Sequence, residues 1–288
     1  MKVRTAYGLR MTSKAPIGVF DSGLGGLTVV RELRKKLPHE RIVYFGDIAR
    51  LPYGIKSEKQ IRDFSRENTE FLLRRNVKAL VVACNSSSSA AFSFLKSHYH
   101  LPIVDVIRPA ALTAAQATRN ARIGVMATQA TVHSKAYERA IRGIDDRIKV
   151  FSNACPLLVP FVEEGILGGK LVEMALERYL RPLAARRIDT LILGCTHYPM
   201  LRHAIQKVVG GRVRLIDSAP AAVRALKETL EDRGEISGAG GHGKLDVFVS
   251  DLPNNFAAVG SRFLGEKLKD IKVVRFKYEI TKNGKWTL

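Results

Sequence analysis

The chain has 288 residues, 46% of them hydrophobic, and a formal net charge of +20. That length and apolar content suit one large or two medium domains with a proper core, and no stretch approaches the roughly 20 apolar residues of a membrane span. The charge leaves two readings open: a surface for nucleic acid or an acidic partner, or a solvated basic surface that also draws in an anionic substrate.

Residues 1–15 (MKVRTAYGLRMTSKA) are basic and lack an apolar core, so no secretory signal is expected. They read as a disordered extension, with Met11 as an alternative start and the cytoplasm as the expected compartment. Then IGVF (17–20) reads as a strand, followed by a Gly-rich turn and a helix near 26–37 whose outer face carries Arg31, Arg34, Lys35 and Lys36. RIVYFG (41–46) is the next strand, before a loop over 47–56 and a helix to about 75. KALVVA (78–83), a helix near 87–97, PIVDV (102–106) and a helix near 109–119 complete the first half.

The second half repeats the rhythm. RIGVMA (122–127), RIKVFS (147–152), DTLILG (189–194) and RVRLID (212–217) read as strands separated by helices, one of them near 168–186 with Arg178, Arg181, Arg186 and Arg187 on a polar face. Continuous Val/Ile/Leu strands alternating with helices indicate parallel sheets covered on both faces. After a helix to about 233, the Gly-rich segment 234–244 reads as a flexible surface loop. A strand at 245–250, a helix at 254–264 and a strand at 271–276 follow, and the polar residues 277–288 read as a tail.

One internal echo stands out. LVVACNSSSSA (80–90) resembles LILGCTHYPML (191–201), and IGVFDSG (17–23) echoes IGVMATQ (123–129), at nearly equal offsets. Each reads as an apolar strand running into polar residues and a helix. The echo predicts a duplicated α/β unit: two parallel-sheet domains facing each other about a pseudo-two-fold, with a site between them at the carboxyl ends of the strands.

The three cysteines, Cys84, Cys155 and Cys195, are odd in number, widely spaced and free of any CxxC or Cys/His pair, which argues against disulfides and a structural zinc site. Cys84 and Cys195 each end a strand just before a helix. The helix dipole there is expected to lower the thiol pKa from about 8.5. The alternative for each is a small buried hydrophobe, and Cys155, in NACPLLVP, reads as structural. Around Cys84 stand Asn85 and Ser86 to Ser89; around Cys195 stand Thr196, His197 and Tyr198. Hydroxyls and amides at helix starts suit a carboxylate and also serve as caps. His197 reads either as a satisfied buried histidine or as a group that tunes the Cys195 proton. In DSGLGG (21–26), Asp21 either points into the cleft or caps the helix, and the glycines permit close backbone approach. The spacing is not GxGxxG, so a dinucleotide site has weak support. In GDIARLPYG (46–54), Pro52 and Gly54 frame Tyr53 at a turn or cleft edge.

IGVFDSGLGGLTV, GDIARLPYG, ACNSSSSAA and LGCTHYPML, in this order and spacing, resemble the motifs of the glutamate racemase family over roughly residues 16–276. The resemblance implies two flavodoxin-like domains, one over 16–107 and 217–276, with a second over 108–216 inserted into it. It implies no cofactor, and Cys84 and Cys195 as acid/base thiols on opposite faces of the substrate α-carbon. It further implies Asp21 beside Cys84 on the D-glutamate side, and His197 and Glu163 beside Cys195 on the L-glutamate side, with Glu164 as the neighbouring choice. Asp21, Ser22, Tyr53, Gly54, Asn85, Ser86, Thr196 and His197 match the family's substrate contacts. Pro52, and Thr128 in the echoing IGVMATQ, are further candidates. Ser86 departs from the family's usual threonine but keeps the hydroxyl. Family members are commonly dimers and some bind DNA gyrase, so a homodimer and a DNA or gyrase contact are partner expectations. An aspartate or other amino-acid racemase is the rival reading.

Overall fold

The computed structural model describes residues 12–238 and 240–275, and the backbone of 279–280 and 286–287. The order is β1 (Ile17–Asp21), α1 (Leu27–Lys36), β2 (Ile42–Gly46), α2 (Glu58–Leu73), β3 (Ala79–Val82), α3 (Asn85–His98), β4 (Ile103–Asp105) and α4 (Ile107–Ala117). Then come β5 (Arg122–Ala127), α5 (Gln129–His133), α6 (Ala136–Arg142), β6 (Lys149–Ala154), α7 (Leu158–Glu163), α8 (Lys170–Ala184), β7 (Thr190–Gly194), α9 (Arg202–Val209) and β8 (Arg214–Asp217). The chain closes with α10 (Ser218–Asp232), β9 (Leu245–Val249), α11 (Phe256–Leu264), β10 (Ile271–Val273), β11 (Glu279–Ile280) and β12 (Trp286–Thr287).

Two parallel sheets result. The first runs β10-β9-β2-β1-β3-β4 and the second β6-β5-β7-β8. In both, the first four strands of the unit lie in the order second, first, third, fourth, so the echo seen in the sequence is also an echo of topology. Every residue of β1, β2, β3 and β7 is buried, because helices cover both faces and no face is left for polar alternation. The C-terminal strands join the first sheet at the outer edge of β2, where Ile42 pairs with Leu245.

The helices bury one stripe each. α1 turns Leu27, Val29, Val30 and Leu33 inward and leaves its Lys and Arg side chains outside. One large core cluster runs from Leu27 and Leu33 through Leu226 and Phe263 to Leu201 and Ile205. The two sheets therefore share apolar packing and do not meet through a polar hinge alone. Separate clusters lie under α2 and α3, around Phe71 and Leu95, and under α4 and α6, around Ala111 and Ile141. Among the described residues, no helix is long and apolar enough to cross a membrane.

Several expectations are corrected. The helix expected after β5 is two short helices, separated where Lys135 takes a left-handed conformation (φ 52°). The short helix α7 was not foreseen. Residues 12–15 are not a loose extension: Ala15 N–H bonds Thr12 O at 2.9 Å, and the buried Lys78 ammonium donates to Ser13 O at 2.6 Å. Residues 1–11 lie outside the described set. The Gly-rich loop is pinned, since Ser237 N–H donates to Glu40 Oε1 at 2.8 Å and Gly243 N–H to Pro38 O at 2.8 Å. β10 ends at Val273, short of the expected 276. In the expected tail, β11 and β12 pair antiparallel.

Candidate active site

The carboxyl ends of β1, β3, β5 and β7 converge on one cavity of about 270 Å³. Ser22 follows β1, Cys84 caps α3 after β3, Thr128 precedes α5 after β5, and Cys195 follows β7. Each functional side chain thus stands where a buried strand gives out and a turn begins, the usual place for ligand contacts in such sheets. Ser22, Pro52, Tyr53, Gly54, Cys84, Asn85, Ser86, Thr128, Glu163, Cys195, Thr196 and His197 all line it. Asp21 does not. It is wholly buried behind the wall, where its Oδ2 accepts the Gly23 N–H at 3.0 Å and its Oδ1 has no hydrogen-bond partner.

On one side, His197 Nδ1 lies 3.8 Å from Cys195 Sγ and Nε2 lies 3.1 Å from Glu163 Oε1. Burial alone would lower the imidazole pKa. The hydrogen bonds and negative charge of Cys195 and Glu163 overcome it and hold His197 up at about 10. The His197 ring also meets Phe263 of α11 edge-on, with centroids 5.1 Å apart, so the C-terminal helix fixes its orientation. Glu164 makes no such contact; of the adjacent pair, Glu163 is the one that reaches the histidine.

On the other side, Cys84 Sγ is 3.5 Å from Ser22 Oγ. Its thiol departs from expectation. Burial, and then the negative charge of Asp21, push it up to about 11, although Ser22 and the Ser87 N–H pull the other way. The helix N-terminus is present, but removing the group from water outweighs the dipole. Asp21 is itself raised by burial, with His197 partly offsetting this. Cys155 is buried outside the cavity and is also pushed up, to about 12, by burial. Its role as a packed thiol agrees with the sequence.

The two halves close tightly over the site. A Cβ on Gly25 would run into Thr196 Oγ1 and lie 2.7 Å from His197 Nδ1. One on Gly54 would lie 2.9 Å from the Thr128 Cβ. Ser86 Oγ and Thr128 Oγ1 are 2.9 Å apart across the cleft. Tyr53 lines the cavity, and its hydroxyl donates to Asp47 Oδ2. The Asn85 Nδ2 is buried without a partner, whereas its Oδ1 accepts from Tyr137.

Sequence reasoning missed Leu51, Ile55, Gln129, Pro156, Val159 and Pro160, which also line the cavity. Leu51 and Ile55 flank the quoted Pro-Tyr-Gly, and proximity to that motif could have flagged them. Pro156, Val159 and Pro160 arrive on or just before α7, which no periodicity announced. Among the described residues, no group of three or more His, Cys, Asp and Glu is placed to hold a metal ion.

The Asp/Glu/Hydantoin racemase family matches residues 27–226. The chain is 44% identical over 263 residues to the glutamate racemase of Geobacter metallireducens, covering 91% of this chain and 97% of that one. Among solved structures, it is similar to glutamate racemase from Francisella tularensis in complex with D-glutamate (TM-score 0.86, 38% identity, 91% of this chain and 98% of that one). It is likewise similar to glutamate racemase from Thermus thermophilus in complex with β-chloro-D-alanine (TM-score 0.83, 43% identity, 92% and 98%). The chain belongs to the Asp/Glu/Hydantoin racemase family, and these three relatives are glutamate racemases.

Proposed function

We propose that this chain racemises glutamate without a cofactor, with Cys84 and Cys195 as acid and base on opposite faces of the α-carbon. The observation that carries the reading is the pair of cysteines. They end equivalent strands of two similarly ordered sheets, and both line one small cavity. Racemisation takes a proton from one face and returns one to the other, which two opposed groups do directly. In this reading Cys195 takes the proton from L-glutamate, with the His197 imidazolium, held up at about 10 by Cys195 and Glu163, beside it. Cys84, pushed up to about 11, holds its proton for delivery to the other face, giving D-glutamate. Running backwards, Cys84 is the base, and Asp21 at its back is the positioned group on that side.

Ser22, Asn85, Ser86, Thr128 and Thr196 supply donors for the substrate carboxylates, and water exclusion strengthens them. The D-glutamate would serve peptidoglycan synthesis, and the working form would be a cytoplasmic homodimer. Circular dichroism of L-glutamate and, separately, L-aspartate incubated with the purified chain tests the reading. Loss of optical activity with glutamate at a far higher rate is expected. Faster racemisation of aspartate, or none of glutamate, would overturn it.

A further inference from the structure

The +20 charge is not absorbed by the racemase site. Part of it gathers at a second cavity of about 610 Å³. Pro16, Arg41 and Lys244 stand just before β1, β2 and β9, so this cavity opens where the strands of the first sheet begin, at the opposite end from the cysteines. Its charged lining is Lys14, Arg41, Arg75, Lys244 and Lys272 against the single carboxylate of Asp246.

That carboxylate is already shared. Its Oδ1 lies 3.0 Å from Lys244 Nζ and 3.2 Å from Lys272 Nζ. Lys14, Arg41 and Arg75 have no carboxylate within ion-pair distance among the described residues. Arg75 is nevertheless held in place. Its guanidinium lies 3.5 Å from the Phe71 ring centre and 4.3 Å from that of Phe248, and Nη1 donates to Phe71 O at 2.9 Å. Burial, and then the charge of Arg74, lower its pKa from the ordinary arginine value, with Asp246 offsetting part of this. Five cations around one shared acid repel one another, and a bound polyanion relieves that repulsion.

We propose that this cavity binds a small oligophosphate, recognised through its phosphate chain. Arginine forks match phosphate oxygens, lysines add point charge, and Thr12 and Asn76 contribute neutral polar groups at the same wall. A single-stranded nucleic acid fits less well, because base stacking needs a free aromatic face. The Phe248 ring already carries Arg75 and, at 5.2 Å, the Lys272 ammonium. The inference stands independently of the racemase reading.

Isothermal titration of the full chain at about 0.15 M salt tests it, with tripolyphosphate as the probe, ATP as a second arm and duplex DNA as a third. Tripolyphosphate is expected to bind one to one, with ATP within about threefold of it. The double variant Lys244→Glu/Lys272→Glu should weaken both by about tenfold or more while racemisation is unchanged, which also reports that the variant is folded. The milder Lys244→Gln/Lys272→Gln variant should show a smaller loss of the same sign. Absence of tripolyphosphate binding, binding of ATP alone, undiminished binding in the reversed variant, or DNA binding that tripolyphosphate does not displace would each overturn the proposal.

Discussion

The Tyr137 hydroxyl donates to Asn85 Oδ1 at 2.7 Å. Tyr137 sits on α6 beside the second sheet and Asn85 opens α3 beside the first, so the bond spans the cleft. It commits the Asn85 carbonyl to the protein and leaves the unpartnered Nδ2 available at a wall of the cavity. A buried donor without a partner is costly, so a bound carboxylate is its natural acceptor. Tyr137→Phe frees the amide to turn. One neutral hydrogen bond is worth about 1 kcal/mol, about fivefold. Steady-state kinetics should show that loss mainly in KM, and Asn85→Ala should lose more. An unchanged KM in both variants would contradict this positioning.

His197 owes its raised pKa to Cys195 and Glu163 acting against burial. Glu163→Gln removes one of the two, so the imidazole should drop from about 10 towards its ordinary value of about 6.5. The alkaline limb of the L-to-D rate profile should then move to lower pH. The stability consequence has a definite sign. A group whose pKa is raised on folding stabilises the fold fully below its unfolded value and loses that contribution as pH climbs through its folded one. In the wild type this contribution fades between about 6.5 and about 10. Melting curves across that window should converge for wild type and Glu163→Gln at the alkaline end.

Gly25 lies against Thr196 and His197 with no room for a side chain. Gly25→Ala should push the two halves apart, at a cost of about 1–3 kcal/mol. The stability loss would be modest, but the misplacement at the thiol should lower kcat by about a hundredfold. Thermal melting beside racemase kinetics separates the two effects. A variant with lowered melting temperature and full kcat would contradict the close-approach reading.

Lys78 is a buried ammonium bonded to Glu40 Oε2 at 2.6 Å, Ser13 O at 2.6 Å and Glu235 O at 2.7 Å. It ties the start of the described chain and the loop after α10 to the base of the first sheet. Lys78→Ala leaves Glu40 buried and unpaired, which should cost about 3–5 kcal/mol. The melting temperature should fall by roughly 10 °C, and Lys78→Met combined with Glu40→Leu should recover part of it. Equal melting of Lys78→Ala and wild type would contradict this account.

The strands were legible because runs such as IGVF and ALVV are buried on both faces and carry no competing pattern. The paired cysteines were legible because each ends such a run. What escaped depends on contacts distant in sequence. α7 carries Glu163, but Pro156 stands just before it and Pro160 within it, and the two prolines mask helical periodicity. The break at Lys135 has neither Gly nor Pro to announce it. Cys84 looked activated because local sequence shows the helix start and not the burial that outweighs it. Tyr137 is 52 residues from the asparagine it orients, and nothing local marks it.

The central claim, one acid/base thiol on each face, is tested most directly by L-glutamate turned over briefly in D₂O, with both enantiomers separated and their α-carbon deuterium measured. Two opposed thiols predict deuterium in newly formed D-glutamate while recovered L-glutamate still carries its original hydrogen. Substrate hydrogen carried over into the product, or equal early deuteration of both enantiomers, would mean that one group serves both faces and would contradict the account.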